Sequence, residues 1–274
     1  MKTINPSELS PMQVQMILQT AVAPRPIALA STIDKNGNVN LSPFSFFNLF
    51  SSNPPILIFS PARRFLDNST KDTLHNVLEV PEVVIGNVNF NMVQQVSLSS
   101  TEYETGTDEF IKSGLTKKPA ELVKPPLIAE SPVNFECKVI EVKPLGNEGG
   151  AGNLVICEVL KIHIREEFLN EEGNLDQKKL DLVSRLGGNW YGRTTAETLF
   201  EVPKPLVTKG IGFDQLPSEI KNSKIFTGND LGMLANVEQL PEGNFSADEK
   251  VHLEAQKLLL EGKIEEAWKV LLTQ

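Results

Sequence analysis

The sequence predicts a mainly β fold, an antiparallel barrel with inserted helices and a C-terminal helical extension. Short strand-like runs separated by turn signals fill most of the first 205 residues, the helical segments among them are few, and the β signal ends near residue 205. Strands joined by short turns favour antiparallel pairing, whereas a doubly wound sheet would place a helix after each strand. The pattern therefore favours the barrel.

The first predicted elements are a helix and a hairpin. Ser10 is a good N-cap and Pro11 suits a first helical position, so a short helix is expected near the N-terminus. The apolar run 27–33 predicts a buried strand. Asn36-Gly37 is a strong hairpin signal because both residues tolerate positive φ, and residues 39–42 are the predicted returning strand.

The remaining predicted elements of this region follow the same pattern. Strands are expected at residues 56–59, 83–88, 133–142 and 154–164, and helices at 70–78 and 90–99. The last two strands are predicted to form a long antiparallel pair, joined by the Gly-rich and polar loop 144–153.

The C-terminal region differs in charge and pattern. The chain has a net charge of −9, and residues 212–274 carry eleven acids and six lysines, a pattern typical of a solvated face. Ser246-Ala247-Asp248-Glu249 matches a capping box that would open a helix through residue 260. Gly262 interrupts the pattern, and residues 264–272 continue it. We therefore expect a domain over 1–211 and a mostly helical, acidic extension over 212–274.

Composition excludes several classes of function. A sequence pI near 5.0 argues against nucleic-acid binding, which needs a basic face. No run of 18 apolar residues predicts a membrane span, and no secretory signal is recognisable. Cys137 and Cys157 lie in strand-like runs and are expected to be reduced core residues of a cytoplasmic protein.

Familiar catalytic motifs are also missing. The sequence has no strand-linked GxGxxG, no Walker loop and no GxSxG elbow. His75, His163 and His252 have no partners at metal-ligand spacing, so no metal site is expected.

A first candidate binding segment is Asn40-Leu41-Ser42-Pro43-Phe44-Ser45-Phe46-Phe47-Asn48, which is neither a clean strand nor a helix. One interpretation is a core strand that runs into a loop whose serines cap neighbouring turns. The other is a wall of hydroxyl and backbone donors for a flat aromatic ligand, with the phosphate of that ligand nearby.

A second candidate is a cationic cluster. Arg63-Arg64 precedes Lys71-Asp72-Thr73, which opens a predicted helix. Free N–H groups at a helix N-terminus, flanked by Lys and Thr, favour an anion, and an arginine adds a forked contact to phosphate. Ser31 and Thr32 end the first strand and are possible further donors, although most Arg-Arg pairs are solvated surface.

Together these strings resemble the flavin reductase-like family with the FMN-binding split barrel. The resemblance rests on Pro24-Arg25-Pro26-Ile27-Ala28, Ser31-Thr32, the 40–48 string and Lys71-Asp72-Thr73, and it covers roughly residues 15 to 205. Arg185-Leu186-Gly187-Gly188-Asn189-Trp190-Tyr191 fits a late segment of the family. The tail lies outside it.

The resemblance implies a Greek-key split barrel that forms a homodimer, with FMN near the subunit interface. It places Ser31 and Thr32 near the phosphate and ribityl chain, and Arg64, Lys71, Asp72 and Thr73 around the phosphate, with Arg63 against Arg64 left open. The isoalloxazine edge would face these residues: Asn40, Leu41, Ser42, Ser45, Phe46 and Phe47. No catalytic residue is predicted, because a flavin supplies the redox chemistry itself.

Two functional hypotheses follow from this resemblance. The first is an FMN-dependent oxidoreductase that passes electrons from NAD(P)H through flavin to free flavin, a ferric chelate, a quinone-like compound or a partner oxygenase. The second is a flavin-binding module without turnover, for sensing, storage or partner docking. A weaker third is a pyridoxamine-phosphate-oxidase-like barrel, which shares the architecture but lacks these strings.

Overall fold

The computed structural model describes residues 1–203 and 209–273 of the chain. The chain folds into two compact units, Met1–Phe200 and Glu201–Gln274. The sequence places this boundary at 211/212, and the predicted end of the β signal near residue 205 lies outside the described residues.

Helices and strands of the first unit alternate irregularly along the chain. The helices are α1 (Pro11–Ala21), α2 (Asp72–Glu79), α3 (Val93–Leu98), α4 (Glu109–Ser113) and α5 (Gln177–Leu180). The strands are β1 (Ala28–Ile33), β2 (Val39–Phe44), β3 (Phe47–Ser52), β4 (Pro55–Phe59), β5 (Glu82–Gly86), β6 (Lys117–Lys118), β7 (Leu127–Ile128), β8 (Val133–Pro144), β9 (Asn153–Ile164), β10 (Val183–Arg185) and β11 (Tyr191–Arg193).

A seven-stranded antiparallel sheet with the order β2-β1-β5-β8-β9-β4-β3 forms the first unit. Its two edge strands, β2 and β3, are consecutive in the chain, and Phe44 and Phe47 are only three residues apart. Three residues span at most about 11 Å, whereas the edges of a flat sheet of this size would lie about 29 Å apart. The sheet must therefore curl into a barrel, which confirms the predicted fold class.

Two apolar cores cover the two faces of the barrel wall. One core fills the interior with side chains such as Ala30, Phe59 and Ile85, and α2 contributes Leu74 and Val77 to it. The other lies outside the wall, where α3 and α4 cover β1 and β2. Helix α2 thus closes one end of the barrel interior.

Local signals explain several boundaries. Ser10 and Gln13 form a reciprocal capping box, and Pro11 begins α1, as predicted. In the first hairpin only Gly37 has positive φ, +90°. The Asp34 carboxylate accepts hydrogen bonds from the N–H groups of Asn36 and Asn38. The loop therefore spans residues 34–38, between the two predicted strands, but only one of the two residues expected to tolerate positive φ adopts it.

Other differences from the sequence prediction are larger. The 40–48 segment contains the end of β2 and the start of β3, and β3 was not predicted. The long pair β8–β9 was predicted, and it carries the buried free cysteines Cys137 and Cys157. Among the described residues, none of the helices has the length and apolarity to cross a membrane.

The second unit is helical, as predicted. Its helices are α6 (Ser218–Lys221), α7 (Gly228–Leu234), α8 (Glu249–Leu260) and α9 (Ile264–Leu271), around a core that includes Leu234, Leu259 and Trp268. Asp248 caps α8 by accepting from the Lys250 N–H, so the predicted capping box at Ser246 is wrong. Ser246 lies outside the helix and accepts from the Asp248 N–H.

Candidate functional site

A polar cavity lies at the N-terminal end of α2. Six of the sequence-predicted residues line it: Asn40, Ser42, Arg64, Lys71, Asp72 and Thr73. The segment between α3 and α4, together with the first residue of α4, adds the remaining wall, which comprises Ser99, Ser100, Thr101, Glu102, Tyr103 and Glu109. The structure therefore brings the hydroxyl-rich strand β2 and the cationic cluster to one place.

Arg64 is fixed at the cavity by its own loop. Its Nη1 donates to Ser69 Oγ (2.9 Å) and to the Thr70 carbonyl (3.0 Å), and its Nε donates to Glu102 (2.8 Å). Arg63 instead donates from Nε to Asn68 Oδ1 (2.7 Å) and from Nη2 to the Asn68 carbonyl (2.8 Å). Of the two arginines that the sequence left open, Arg64 is the one that lines the cavity.

Lys71 is the N-cap of α2, and its side chain makes no capping bond. The first N–H groups of an α-helix have no partner within the helix, and they carry its positive dipole end. Burial lowers the pKa of the Lys71 ammonium, and the neighbouring Arg64 lowers it further. A bound anion would relieve this repulsion, because it adds negative charge between the two cations.

Glu109 is a residue of the cavity wall that the sequence analysis did not predict. It begins α4, is buried, and accepts hydrogen bonds from Asn40 Nδ2 (3.1 Å) and the Leu41 N–H (2.9 Å). Thr73 Oγ1 donates to Asn40 Oδ1 (2.7 Å), so both ends of the Asn40 amide are held. Burial raises the pKa of the Glu109 carboxyl, and nearby Asp72 adds to the rise.

Ser31 and Thr32 lie behind the cavity and on opposite faces of β1. Thr32 pairs with Asn40 across the β1–β2 ladder and accepts from Asn76 Nδ2 of α2 (3.1 Å). Ser31 is fully buried beside Leu41, and its Oγ makes no hydrogen bond within the described residues. Because strand side chains alternate, the two hydroxyls cannot both face the same anion.

Ser45, Phe46 and Phe47 lie away from the polar cavity. Phe47 packs against the barrel core, and Ser45 accepts from Arg25 Nε at 3.5 Å. Phe46 is 38% exposed and lines a second cavity of about 560 Å³. This apolar cavity is bounded by α1, Phe65 and the loop 149–151. Phe65 follows Arg64 directly in the chain, so one loop contributes to both cavities.

The donor set of the polar cavity fits a phosphate group. Arg64 and Lys71 supply positive charge, the start of α2 supplies N–H donors, and Ser42 supplies a hydroxyl. Within residues 1–203 and 209–273, no group of three or more metal-ligating side chains is present. The arrangement suits the phosphate of a phosphorylated ligand.

Comparison with known proteins finds similar sequences over most of the first unit. The family model described as flavin reductase like domain matches residues 21–181, a range that lies within the first unit. An uncharacterised protein of Halalkalibacterium halodurans is 38% identical over 75% of this chain and 98% of its own length.

Solved structures are also similar to this chain. Nitrilotriacetate monooxygenase component B from Bacillus cereus superposes with a TM-score of 0.69 at 27% identity, over 74% of this chain and 98% of that one. The 2-nitrobenzoate 2-nitroreductase NbaA of Pseudomonas fluorescens gives 0.66 at 27% identity, over 76% and 100%. Both similarities extend over most of this chain and nearly all of the other.

Proposed function

Because the chain belongs to the flavin reductase-like family, we propose that it is an FMN-binding oxidoreductase that passes electrons from NAD(P)H through bound flavin to an acceptor. The observation that carries the proposal is the cavity in which Arg64, Lys71 and the start of α2 converge. Family membership gives a flavin-related oxidoreductase. The cations and N–H donors of this cavity suit a phosphate group, which FMN carries and riboflavin lacks, so they favour FMN.

The proposed binding mode assigns a task to each part of the site. Arg64 makes forked contacts to the phosphate, Lys71 neutralises its charge, and the first N–H groups of α2 donate to its oxygens. The ring lies against the β2–β3 corner, with Phe46 and Phe65 on its apolar side. Leu41 and Phe47 are committed to the cores, so they offer the ring only backbone groups.

The flavin, when bound, supplies the hydride and electron chemistry. The chain binds it, orients it and stabilises charge on its polar edge through fixed donors. Asn40 is held between Glu109 and Thr73, so its amide is fixed in orientation before any ligand arrives. Preorganised donors of this kind need no rearrangement when charge develops.

The acceptor is proposed by class. One similar structure is a monooxygenase component and another is a nitroreductase. A partner oxygenase, free flavin, a ferric chelate and a small aromatic or quinone-like compound are the candidates. The apolar cavity of about 560 Å³ favours a small aromatic molecule near the ring.

We also propose that the first unit forms a homodimer. Helix α1 buries none of its residues, and Met16 is 65% exposed. The edge strand β3 leaves Phe50 64% exposed. Exposed apolar side chains gathered on one helix and one sheet edge are typical of a protein interface.

The buried free thiols support a further proposal, a cytoplasmic location. Burial raises the pKa of the Cys137 thiol to about 12, which keeps it protonated and unreactive. Thiols in this state are typical of a reducing compartment.

The test of the main proposal is spectroscopic and kinetic. The purified protein is expected to bind FMN more tightly than riboflavin and to oxidise NAD(P)H when FMN and an acceptor are added. Flavin binding without NAD(P)H oxidation, across flavin, ferric and quinone acceptors, would favour a non-catalytic flavin-binding module instead. Equal affinity for FMN and riboflavin would contradict the phosphate site.

A further inference from the structure

Among the described residues that line the cavity, Glu102 is the carboxylate that accepts a hydrogen bond from a cation of the cavity wall. Its Oε1 accepts from Arg64 Nε at 2.8 Å. The Arg64 side chain is 27% exposed, and that of Glu102 is 64% exposed. The pair therefore lies at the mouth of the cavity, in contact with solvent.

The other two acidic residues of the cavity are committed differently. Glu109 is buried and bonded to Asn40 and Leu41. Asp72 begins α2 and accepts from Thr105 Oγ1 at 3.4 Å. Neither forms an ion pair with Arg64 in the structure, so neither uses the N–H donors of its guanidinium.

The cation of the pair is fixed, whereas its anion is free to leave. Arg64 keeps two further bonds, to Ser69 Oγ and the Thr70 carbonyl, when Glu102 is removed. An exposed ion pair adds little to stability, so a stronger anion displaces the carboxylate readily. A phosphate group uses the same guanidinium donors as a carboxylate and carries more charge.

We propose that the Glu102 carboxylate competes with the flavin phosphate for the Arg64 guanidinium. It pairs with Arg64 in the flavin-free protein, and the flavin phosphate displaces it on binding. This inference rests on the proposed function, because it presumes that the phosphate binds at Arg64. Glu102 thereby lowers the affinity for FMN and makes the flavin exchangeable, as a protein that hands reduced flavin to an acceptor requires.

The test compares Glu102→Gln with Glu104→Gln. Glu104 is an exposed acid two residues away that does not line the cavity, so its variant removes the same charge from the same segment. Dissociation constants for FMN and riboflavin are measured by quenching of flavin fluorescence, with thermal unfolding as a check of folding.

The expected result is that Glu102→Gln binds FMN about two- to fivefold more tightly, the range set by one partly exposed ion pair. Riboflavin affinity stays the same, and Glu104→Gln resembles the wild type. In an Arg64→Ala background the effect of Glu102→Gln disappears, because the guanidinium for which Glu102 competes has been removed.

Four outcomes would overturn the inference. Unchanged or weaker FMN binding by Glu102→Gln means that the carboxylate does not compete. Equal tightening by Glu104→Gln, or tightening that persists with Arg64→Ala, means general repulsion rather than occupation of Arg64. Wild-type protein that binds FMN and riboflavin equally shows instead that the phosphate site itself is wrong, and the inference falls with it.

Discussion

Both units of the molecule bury carboxylates in polar networks, and those around Asp230 and Glu109 differ. In the helical unit, Asp230 Oδ2 accepts from the Thr227 N–H (2.7 Å), Thr227 Oγ1 (2.8 Å) and Gln256 Nε2 (2.8 Å). In the barrel, Glu109 accepts two bonds and lines a cavity beside two cations.

The pKa directions of the two groups are opposite. Burial alone would raise both, but the bonds from Gln256 and Thr227 outweigh it and hold the pKa of Asp230 below its ordinary range. Burial wins at Glu109 and raises its pKa. Only Glu109 lines the cavity that Arg64 and Lys71 also line, so a buried carboxylate is structural in the helical unit and part of the candidate site in the barrel.

The largest expected effect comes from removing the cations of the barrel cavity. Arg64→Ala combined with Lys71→Ala is expected to weaken FMN binding about 100-fold or more, because charge-assisted bonds contribute about 1.5 to 3 kcal/mol each. Riboflavin binding should change little. Isothermal titration measures both affinities.

Arg63→Ala is the matched control, because Arg63 bonds to Asn68 and does not line the cavity. An equal loss of FMN affinity in Arg63→Ala, or no loss in the double variant, would move the phosphate elsewhere.

The second effect concerns stability and belongs to the helical unit. Asp230→Ala leaves three donors without their acceptor and is expected to lower the free energy of unfolding of that unit by about 2 to 3 kcal/mol. FMN affinity should stay the same. Urea unfolding followed by circular dichroism measures the loss, with the exposed Glu238→Ala as control. Unchanged stability would show that the network is dispensable.

The pH dependence of folding stability is expected to have opposite signs at Glu109 and Asp230. Relative to Glu109→Gln, the wild type should lose stability as pH rises from the ordinary glutamate pKa to the raised pKa of Glu109, because the folded state retains that proton longer. Relative to Asp230→Asn, it should lose stability as pH falls from the ordinary aspartate pKa through the lowered pKa of Asp230. Urea midpoints across this acid range test both signs, and parallel slopes would refute the contrast.

The smallest expected effect is that of removing the helical unit. Every residue assigned to the phosphate site lies within Met1–Phe200. A chain that ends at Phe200 should therefore bind FMN with the affinity of the full chain. Titration of both proteins with FMN checks this, and a large loss of affinity would mean that the tail completes the site.

The fold was predictable wherever the signal was local. Ser10 and Pro11 determine the start of α1 through neighbouring groups, and the β8–β9 pair is visible as two long apolar runs. β3 was missed because Leu49 and Phe50 lie on an exposed edge strand, where no alternation of burial marks the sequence.

Residues of the candidate site were predictable where the local sequence identifies them, and they were missed where only tertiary packing brings them to the cavity. Lys71 and Thr73 stand at a recognisable helix start, so local sequence was sufficient. Glu109 stands beside Asp108 in a run typical of a solvated helix N-terminus, and only the packing of α4 on β2 brings it to Asn40. The choice of Arg64 over Arg63 likewise depends on the path of one loop.

A crystal structure of the protein with bound FMN tests the central claim most directly. We expect the phosphate within hydrogen-bond distance of the Arg64 guanidinium and of the first N–H groups of α2, with the Glu102 carboxylate displaced from Arg64. A phosphate bound elsewhere on the barrel, with the Arg64–Glu102 pair intact, would contradict the account.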